Sequence, residues 1–336
     1  MDRRQSLFFS LGMLALLSFG GCGLYLGQRG DFTGIDSVGP RLMTSINQDV
    51  RGYLAHYDYI SIALVYNGEI VLTKSYGHDR IVRNDVYASV SKPVTSTIVV
   101  RLREDGQIKS LDDPIGKYSR KYRDVQPQEF SDPPITFRHL LTHTGGVPHQ
   151  SALWEDDTLN MDFRAGTGAR YSTKGYGILG DVMEDITGKS YEELVQEYIG
   201  GPVGASSFTA LPFFEAPAGN VYSTIADMAR FAIGVMSGQY YGTDVLFNEV
   251  LIRYADEQYG VMGLGWYVLN LDDPENLAGY HAGSNGRPRA FLAIKPRRQN
   301  AVCITGLNTS SDGAHDFGNL AIDLMKTLET GMPEYE

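Results

Sequence analysis

An α+β fold of the α/β sandwich type is predicted: an antiparallel sheet built from both chain ends, flanked by helices, with a mainly helical lobe inserted between them. Three observations predict it. Strand-like runs near the N-terminus, residues 61–66 and 69–74, are joined by Asn67-Gly68, a strong hairpin signal. Strand-like runs return near the C-terminus at 263–271, 290–294 and 301–306. Between them, over about 112–250, helical patterns alternate with Pro- and Gly-rich loops. Termini that share one sheet leave the middle as an insertion, and the cleft between two such lobes is a favoured ligand site.

Residues 1–22 read as an export signal, with Arg3 and Arg4 ahead of the apolar run 7–19 and Gly20-Gly21 immediately before Cys22. Small residues before a cysteine resemble a bacterial lipoprotein signal, with Cys22 as the lipidation site, although Phe19 stands where an aliphatic residue is usual. An uncleaved membrane anchor is the alternative, because apolar character continues through Leu24 and Leu26 for about 20 residues, enough to span a bilayer. Ordinary cleavage is the third reading. Each places the domain outside the cytoplasm, in the periplasm or at the cell surface. Residues 23–39 are expected to be a tether and 40–330 the folded domain.

Within that domain, Leu42, Ile46, Val50 and Leu54 have helical spacing over 41–54. A helix over 94–102 stops near Gly106, with Pro93 in its first turn, where a missing N–H costs least. Another runs from Tyr176 to Thr187-Gly188, and a further one is capped by Thr224 and ends at Gly238. Phe317, Leu320, Ala321, Leu324, Met325 and Leu328 form the apolar stripe of a last helix.

The 336 residues are 43% hydrophobic, enough for one large domain or two intimately packed ones. Net charge is −11, and the one basic cluster, Lys295-Pro296-Arg297-Arg298, reads as a solvated hairpin turn. Nucleic acid is therefore not an expected partner. The second cysteine, Cys303, lies in an apolar run and is expected to be a buried small hydrophobe, so with Cys22 lipidated the chain has no disulfide. A monomer is expected, and no cofactor.

The chemistry centres on Ser89-Val90-Ser91-Lys92, which sets a hydroxyl and an amine on one face of a helix start. A serine needs a base beside it, and a lysine serves only if its surroundings lower its pKa. About one such spacing arises by chance in a chain this long, so its company decides. No serine lies in Gly-x-Ser-x-Gly; Ser284 comes nearest, with Ala282 at the first glycine position. His139, His143 and His149 reproduce a zinc-protease spacing, but Leu140 replaces the essential glutamate and Gly145-Gly146 would break the helix, so no metal is expected. Acyl transfer needs a second proton-transfer group and an oxyanion hole. Tyr171-Ser172-Thr173 offers a phenol, and His281-Ala282-Gly283 offers a polar residue followed by a glycine that admits another backbone.

With Leu111-Asp112-Asp113-Pro114, the stretch Ile135-Thr136-Phe137-Arg138-His139-Leu140-Leu141-Thr142-His143-Thr144-Gly145-Gly146, and Ala218-Gly219 ahead of Ser223-Thr224 and Asp227, these motifs resemble the serine β-lactamase and penicillin-binding-protein-like superfamily. The resemblance is to the branch with class C β-lactamases, D-alanyl-D-alanine carboxypeptidases, D-aminopeptidases and esterases. It implies a β-lactamase/transpeptidase-like fold, Ser89 as the acylated nucleophile, Lys92 as its base and Tyr171 as the proton-transfer partner. It also implies an oxyanion hole from the N–H groups of Ser89 and Ser284, with His281, Gly283 and Thr173 on the substrate. Two departures stand out. Thr173 occupies a position where many relatives have asparagine, and His281 one where a lysine is common. Both argue for an ester, D-amino-acid or cell-wall peptide substrate over a β-lactam, unless Arg287 or Arg289 restores the missing charge. A β-lactamase and a non-catalytic sensor of peptidoglycan fragments are the alternatives.

Overall fold

Pairing of the two chain ends produces one nine-stranded antiparallel sheet. The computed structural model describes residues 30–257, 260–310 and 317–332. The expected signal and Cys22 lie outside the described residues. The strands are β1 (Gly30–Asp36), β2 (Tyr57–Tyr66), β3 (Glu69–Gly77), β4 (Ala255–Glu257), β5 (Gly260–Met262), β6 (Tyr267–Leu269), β7 (Ala278–Ser284), β8 (Pro288–Lys295) and β9 (Asn300–Asn308). Their spatial order is β1-β3-β2-β9-β8-β7-β6-β5-β4. β2, from the N-terminal part, and β9, from the C-terminal part, pair along their length, Val65 opposite Ala301 through Ile60 opposite Gly306. The β2–β3 hairpin turns at Asn67-Gly68, both with positive φ, 49° and 80°, as a tight type I′-like turn requires.

Alternation along these strands feeds two cores. Ile60, Ile62 and Leu64 of β2, with Val302 and Ile304 of β9, face an outer layer. That layer is made by α1 (Pro40–Arg51), through Leu42, Ile46 and Val50, and by the last helix, through Phe317, Leu320, Leu324 and Leu328. Ala63, Val65, Ala301 and the buried Cys303 face the inserted lobe. At the centre of that lobe is α2 (Ser91–Glu104), buried on all sides from Ser91 through Val100. Its hydroxyls are matched: Thr95 Oγ1 donates to the Pro217 carbonyl at 2.6 Å and Ser96 Oγ to that of Leu264 at 2.6 Å. The segments Ala216–Gly219 and Val195–Gly200 and α4 (Thr173–Thr187) pack against α2, the short α3 (Phe137–Leu141) packs on α4, and α5 (Ile225–Met236) lies against β2 and β9. The last helix, α6 (Gly318–Gly331), buries the six apolar positions that its sequence stripe marks. No helix among the described residues is long and apolar enough to cross a membrane.

Three boundaries differ from the sequence expectation. Part of the expected tether, Gly30–Asp36, is the edge strand β1, held by backbone pairing to β3; its mostly exposed side chains carry no apolar alternation to reveal it. The strand expected over 263–271 shortens to β6, because Gly263 and Gly265 bond into a turn through Gly263 N–H to the Trp266 carbonyl, 2.8 Å. β7 had no strand signal, since its inward positions are Gly279, His281 and Gly283.

One buried carboxylate ties the sheet to the lobe. Asp85 accepts from Tyr59 Oη of β2 at 2.8 Å, Thr305 Oγ1 of β9 at 2.9 Å, and Arg80, and its short strand Asp85–Val86 pairs with Val221–Ser223. Asp85→Asn removes the charge that pairs Arg80 while keeping the volume. It should lower unfolding free energy by about 3 kcal/mol in urea titrations.

Candidate active site

The chain turns from Asp85–Val86 into a single 3₁₀ turn, Ala88–Val90, that opens α2. Ala88 takes a positive φ of 44°, unusual for a residue with a side chain. The turn leaves Ser89 half-buried at the cleft and sends Lys92 inward from the first turn of α2. Lys92 is fully buried. Its Nζ donates to the Ala218 carbonyl at 2.8 Å and lies 4.6 Å from the ring centre of Tyr171 and 5.5 Å from that of Tyr176. An ammonium in such a site is held by a carbonyl and by two ring faces.

Tyr171 comes from the loop before α4. Ser172 caps that helix by accepting Gly175 N–H at 3.0 Å, so α4 begins at Thr173, three residues ahead of the sequence expectation. Thr173 lines the cleft in its first turn. Behind Tyr171 stands His143, its ring 4.5 Å from that of Tyr171 and 5.3 Å from that of Tyr176. His143 Nδ1 accepts Ser172 N–H at 3.1 Å, which puts the ring proton on Nε2, a buried atom with no hydrogen-bond partner. His149, at the exposed rim, meets the edge of Tyr171 at 5.6 Å. His139 instead accepts Thr136 N–H in a capping box. The three histidines of the zinc-like spacing thus serve three separate places.

The opposite wall is β7. β6 pairs with it only over Ala278–Tyr280, leaving the edge from His281 to Ser284 open toward the cleft. Gly283 presses against the Ser89 turn: a Cβ there would stand 2.4 Å from the Tyr87 carbonyl and 3.2 Å from Ser89 N. This contact brings the Ser89 amide and the β7 edge, with Ser284 beside it, to one spot. His281 is buried, and its Nδ1 donates to the Ala282 carbonyl at 2.8 Å, so Nε2 presents an unpartnered lone pair. Arg287 does not replace the missing lysine: it pairs with Asp58 and donates to the Asn308 carbonyl at 2.7 Å. Arg289 lines the cleft, its Nη1 bonded to the carbonyls of Gly286 and Pro288.

Burial dominates the electrostatics, with Lys92 adding to it. Burial, then Lys92, pushes His281 down to about 3. The same causes, joined by the other two histidines, hold His143 well below the usual imidazole range. His149 is lowered by burial, Lys92 and Lys174. In the sequence His143 stands only within the Ile135–Gly146 motif and the zinc-like spacing, and neither indicates Tyr171. Ser89, Lys92, Tyr171, Thr173, His281, Gly283 and Ser284 do come together around one cleft.

Two predictions arise from this geometry. Gly283→Ala drives a Cβ into the Tyr87 carbonyl and displaces the Ser89 turn, so labelling of Ser89 by a fluorophosphonate should slow by about 100-fold. The second concerns acid. Unfolding frees His281 to titrate near 6.5, so below that pH, down to about 3, the unfolded chain binds the extra proton. The stabilisation is complete above 6.5 and is lost as pH falls. Unfolding free energies from urea titrations between about pH 7 and about pH 4.5 should fall less in His281→Gln than in wild type, by up to about 1.4 kcal/mol per pH unit.

Comparison with known proteins agrees with this arrangement. The family model described as Beta-lactamase matches residues 46–324. The chain is 23% identical over 323 residues to the D-alanyl-D-alanine-carboxypeptidase/endopeptidase AmpH of Escherichia coli (strain K12), covering 76% of this chain and 82% of that protein. It is 23% identical over 244 residues to a teichoic acid D-alanine hydrolase of Staphylococcus aureus (strain MRSA252), covering 59% of each. The octameric penicillin-binding protein homologue from Pyrococcus abyssi superposes with a TM-score of 0.71 at 19% identity, covering 88% of this chain and 78% of that one, a likeness of fold. With the sheet, the inserted lobe and most of the chain matched, the protein belongs to the Beta-lactamase family of serine hydrolases.

Proposed function

We propose that this protein is an exported serine hydrolase that cleaves an ester or amide of a D-amino acid, or a small ester, through an acyl-enzyme on Ser89. The observation that carries this reading is the burial of Lys92 beneath Tyr171, one helical turn from Ser89. In the proposed reaction the Lys92–Tyr171 pair acts as an ammonium beside a phenolate, and Ser89 Oγ attacks the carbonyl carbon as its proton passes to the Tyr171 oxygen. The N–H groups of Ser89 and Ser284 hold the oxyanion, and Tyr171 protonates the departing alcohol or amine. Water, deprotonated by the same pair, then releases the acid and restores Ser89.

Substrate choice follows from His281. A carboxypeptidase or β-lactamase substrate carries a carboxylate that a lysine at this position would hold. A buried imidazole pushed down to about 3 brings no charge to hold that carboxylate. A neutral wall suits a D-amino-acyl ester better than a carboxylate, and the similarity to a teichoic acid D-alanine hydrolase points the same way. A second reading, a carboxylate-bearing substrate, is favoured by the similarity to the carboxypeptidase AmpH and by Arg289 in the cleft wall. The proposal includes export, with residues 1–22 as signal and Cys22 as lipidated anchor.

The test is a substrate panel with wild type and Ser89→Ala: p-nitrophenyl acetate, D-alanine methyl ester, a D-Ala-D-Ala peptide and nitrocefin. Turnover of the two esters should exceed that of the peptide and of nitrocefin and should drop at least about 1,000-fold in Ser89→Ala. Faster hydrolysis of nitrocefin would sink the substrate assignment. Full activity in Ser89→Ala would remove the nucleophile, and a folded protein that no acylating probe labels would be a binder. Palmitate incorporation in cells, lost in Cys22→Ser, tests the anchor.

A further inference from the structure

The cleft is larger than a D-alanyl ester needs. Its cavity of about 1040 Å³ begins at Ser89 and His281, passes over the free edge of β7 and continues along the outer face of the sheet beside α6 as far as Lys326. The walls of this extension are apolar. Tyr267, Tyr280 and Phe291 form a row of stacked rings across β6, β7 and β8, with centres 5.3 and 5.7 Å apart and interplanar angles of 26° and 12°. Leu269, Ile322 and Met325 add to this apolar lining, with Asn270 and Asn319 as polar points along it. Leu269 and Ile322 are 50% and 52% exposed, two of the six large apolar side chains that the described residues leave in water, and both line this groove. The cause is architectural: α6 packs on β2, β9 and β8, and the sheet continues past it.

We propose that this groove binds the aliphatic chain of an ester substrate whose carbonyl lies at Ser89; the inference rests on the hydrolase reading above. A peptide is the poorer occupant. β6 already pairs with Ala278–Tyr280, so a peptide backbone laid there would meet apolar side chains and leave its N–H and C=O groups without partners. A methylene chain has no such groups, and each methylene it buries strengthens binding. From Gly318 to Lys326, α6 supplies a wall about 12 Å long, the reach of a medium-length chain. The far end is polar: Lys326 is exposed, and Lys295 is neutralised by Glu329 at 2.8 Å. The chain therefore ends where water begins.

Two series test this, one lengthening the acyl side (p-nitrophenyl acetate, butyrate and octanoate) and one the alcohol side (D-alanine methyl, butyl and octyl esters). Kcat/KM is measured on wild type, and binding by titration calorimetry on Ser89→Ala, which needs no turnover. In one series the octyl member should bind at least about tenfold more tightly than the shortest, and kcat/KM should rise in parallel. The series that responds identifies the side of the ester that enters the groove. Leu269→Asp and Ile322→Glu, both at exposed positions, should bring the long-to-short ratio toward one, whereas Val82→Asp, elsewhere on the surface, should leave it as in wild type. Equal binding of short and long members in both series overturns the groove. Chain-length-dependent binding, lost in Ile322→Glu, with no turnover of any ester by wild type, leaves the groove standing and overturns the hydrolase reading instead.

Discussion

The buried side chain of Lys92 is the constraint around which this protein is arranged. A cation removed from water is costly unless oxygen atoms and polarisable faces replace the solvent. Ala218 supplies the carbonyl, and Tyr171 and Tyr176 supply the rings. Burial first, and the same charge second, depress His143, His149 and His281 below the ordinary imidazole range. Lys92 is thus surrounded by imidazoles that stay neutral. In the proposed reaction this leaves Lys92 and Tyr171 as the groups at the centre of the cleft for moving a proton.

Holding that arrangement requires the two halves of the fold to meet at atomic contact. The lobe contributes Lys92 and Tyr171, and the sheet contributes His281, Gly283 and Ser284. Gly283 is where they touch, because only a residue without a Cβ allows β7 to lie against the Ser89 turn. Asp85 secures the same junction from below by bonding β2 and β9 to the segment that leads into Ser89. The open edge of β7 arises because β6 is short, and β6 is short because Gly263 and Gly265 fold the chain into a turn before it. The cleft is therefore a product of where strands stop as much as of where they pair.

Much of this is legible in residue order. The hairpin at Asn67-Gly68, the helix caps at Thr224 and Gly188, and the stripe of α6 follow local rules of conformation and periodicity, which need only neighbours in the chain. β1 and β7 escaped such rules for opposite reasons. β1 is an edge strand with exposed side chains, and β7 turns glycines and a histidine inward, so neither shows alternating apolar residues. His143 escaped as well, since its partner Tyr171 is distant in sequence and the contact is made only on folding.

The sequence by itself determined the order of the chemical groups: a serine and a lysine at a helix start, a tyrosine before the next helix, and a histidine with a glycine near the end. Family membership rests on that order. Only the tertiary structure decided their states. Burial and the nearness of Lys92 make His281 and His143 neutral, and the carbonyl of Ala282 selects which nitrogen of His281 carries the proton. It also decided that Arg287 is spent on Asp58 and that the cleft continues onto the outer sheet beside α6. Ionisation and cavity shape depend on everything packed within a few ångströms of a group, and that company is assembled from segments the chain order keeps far apart.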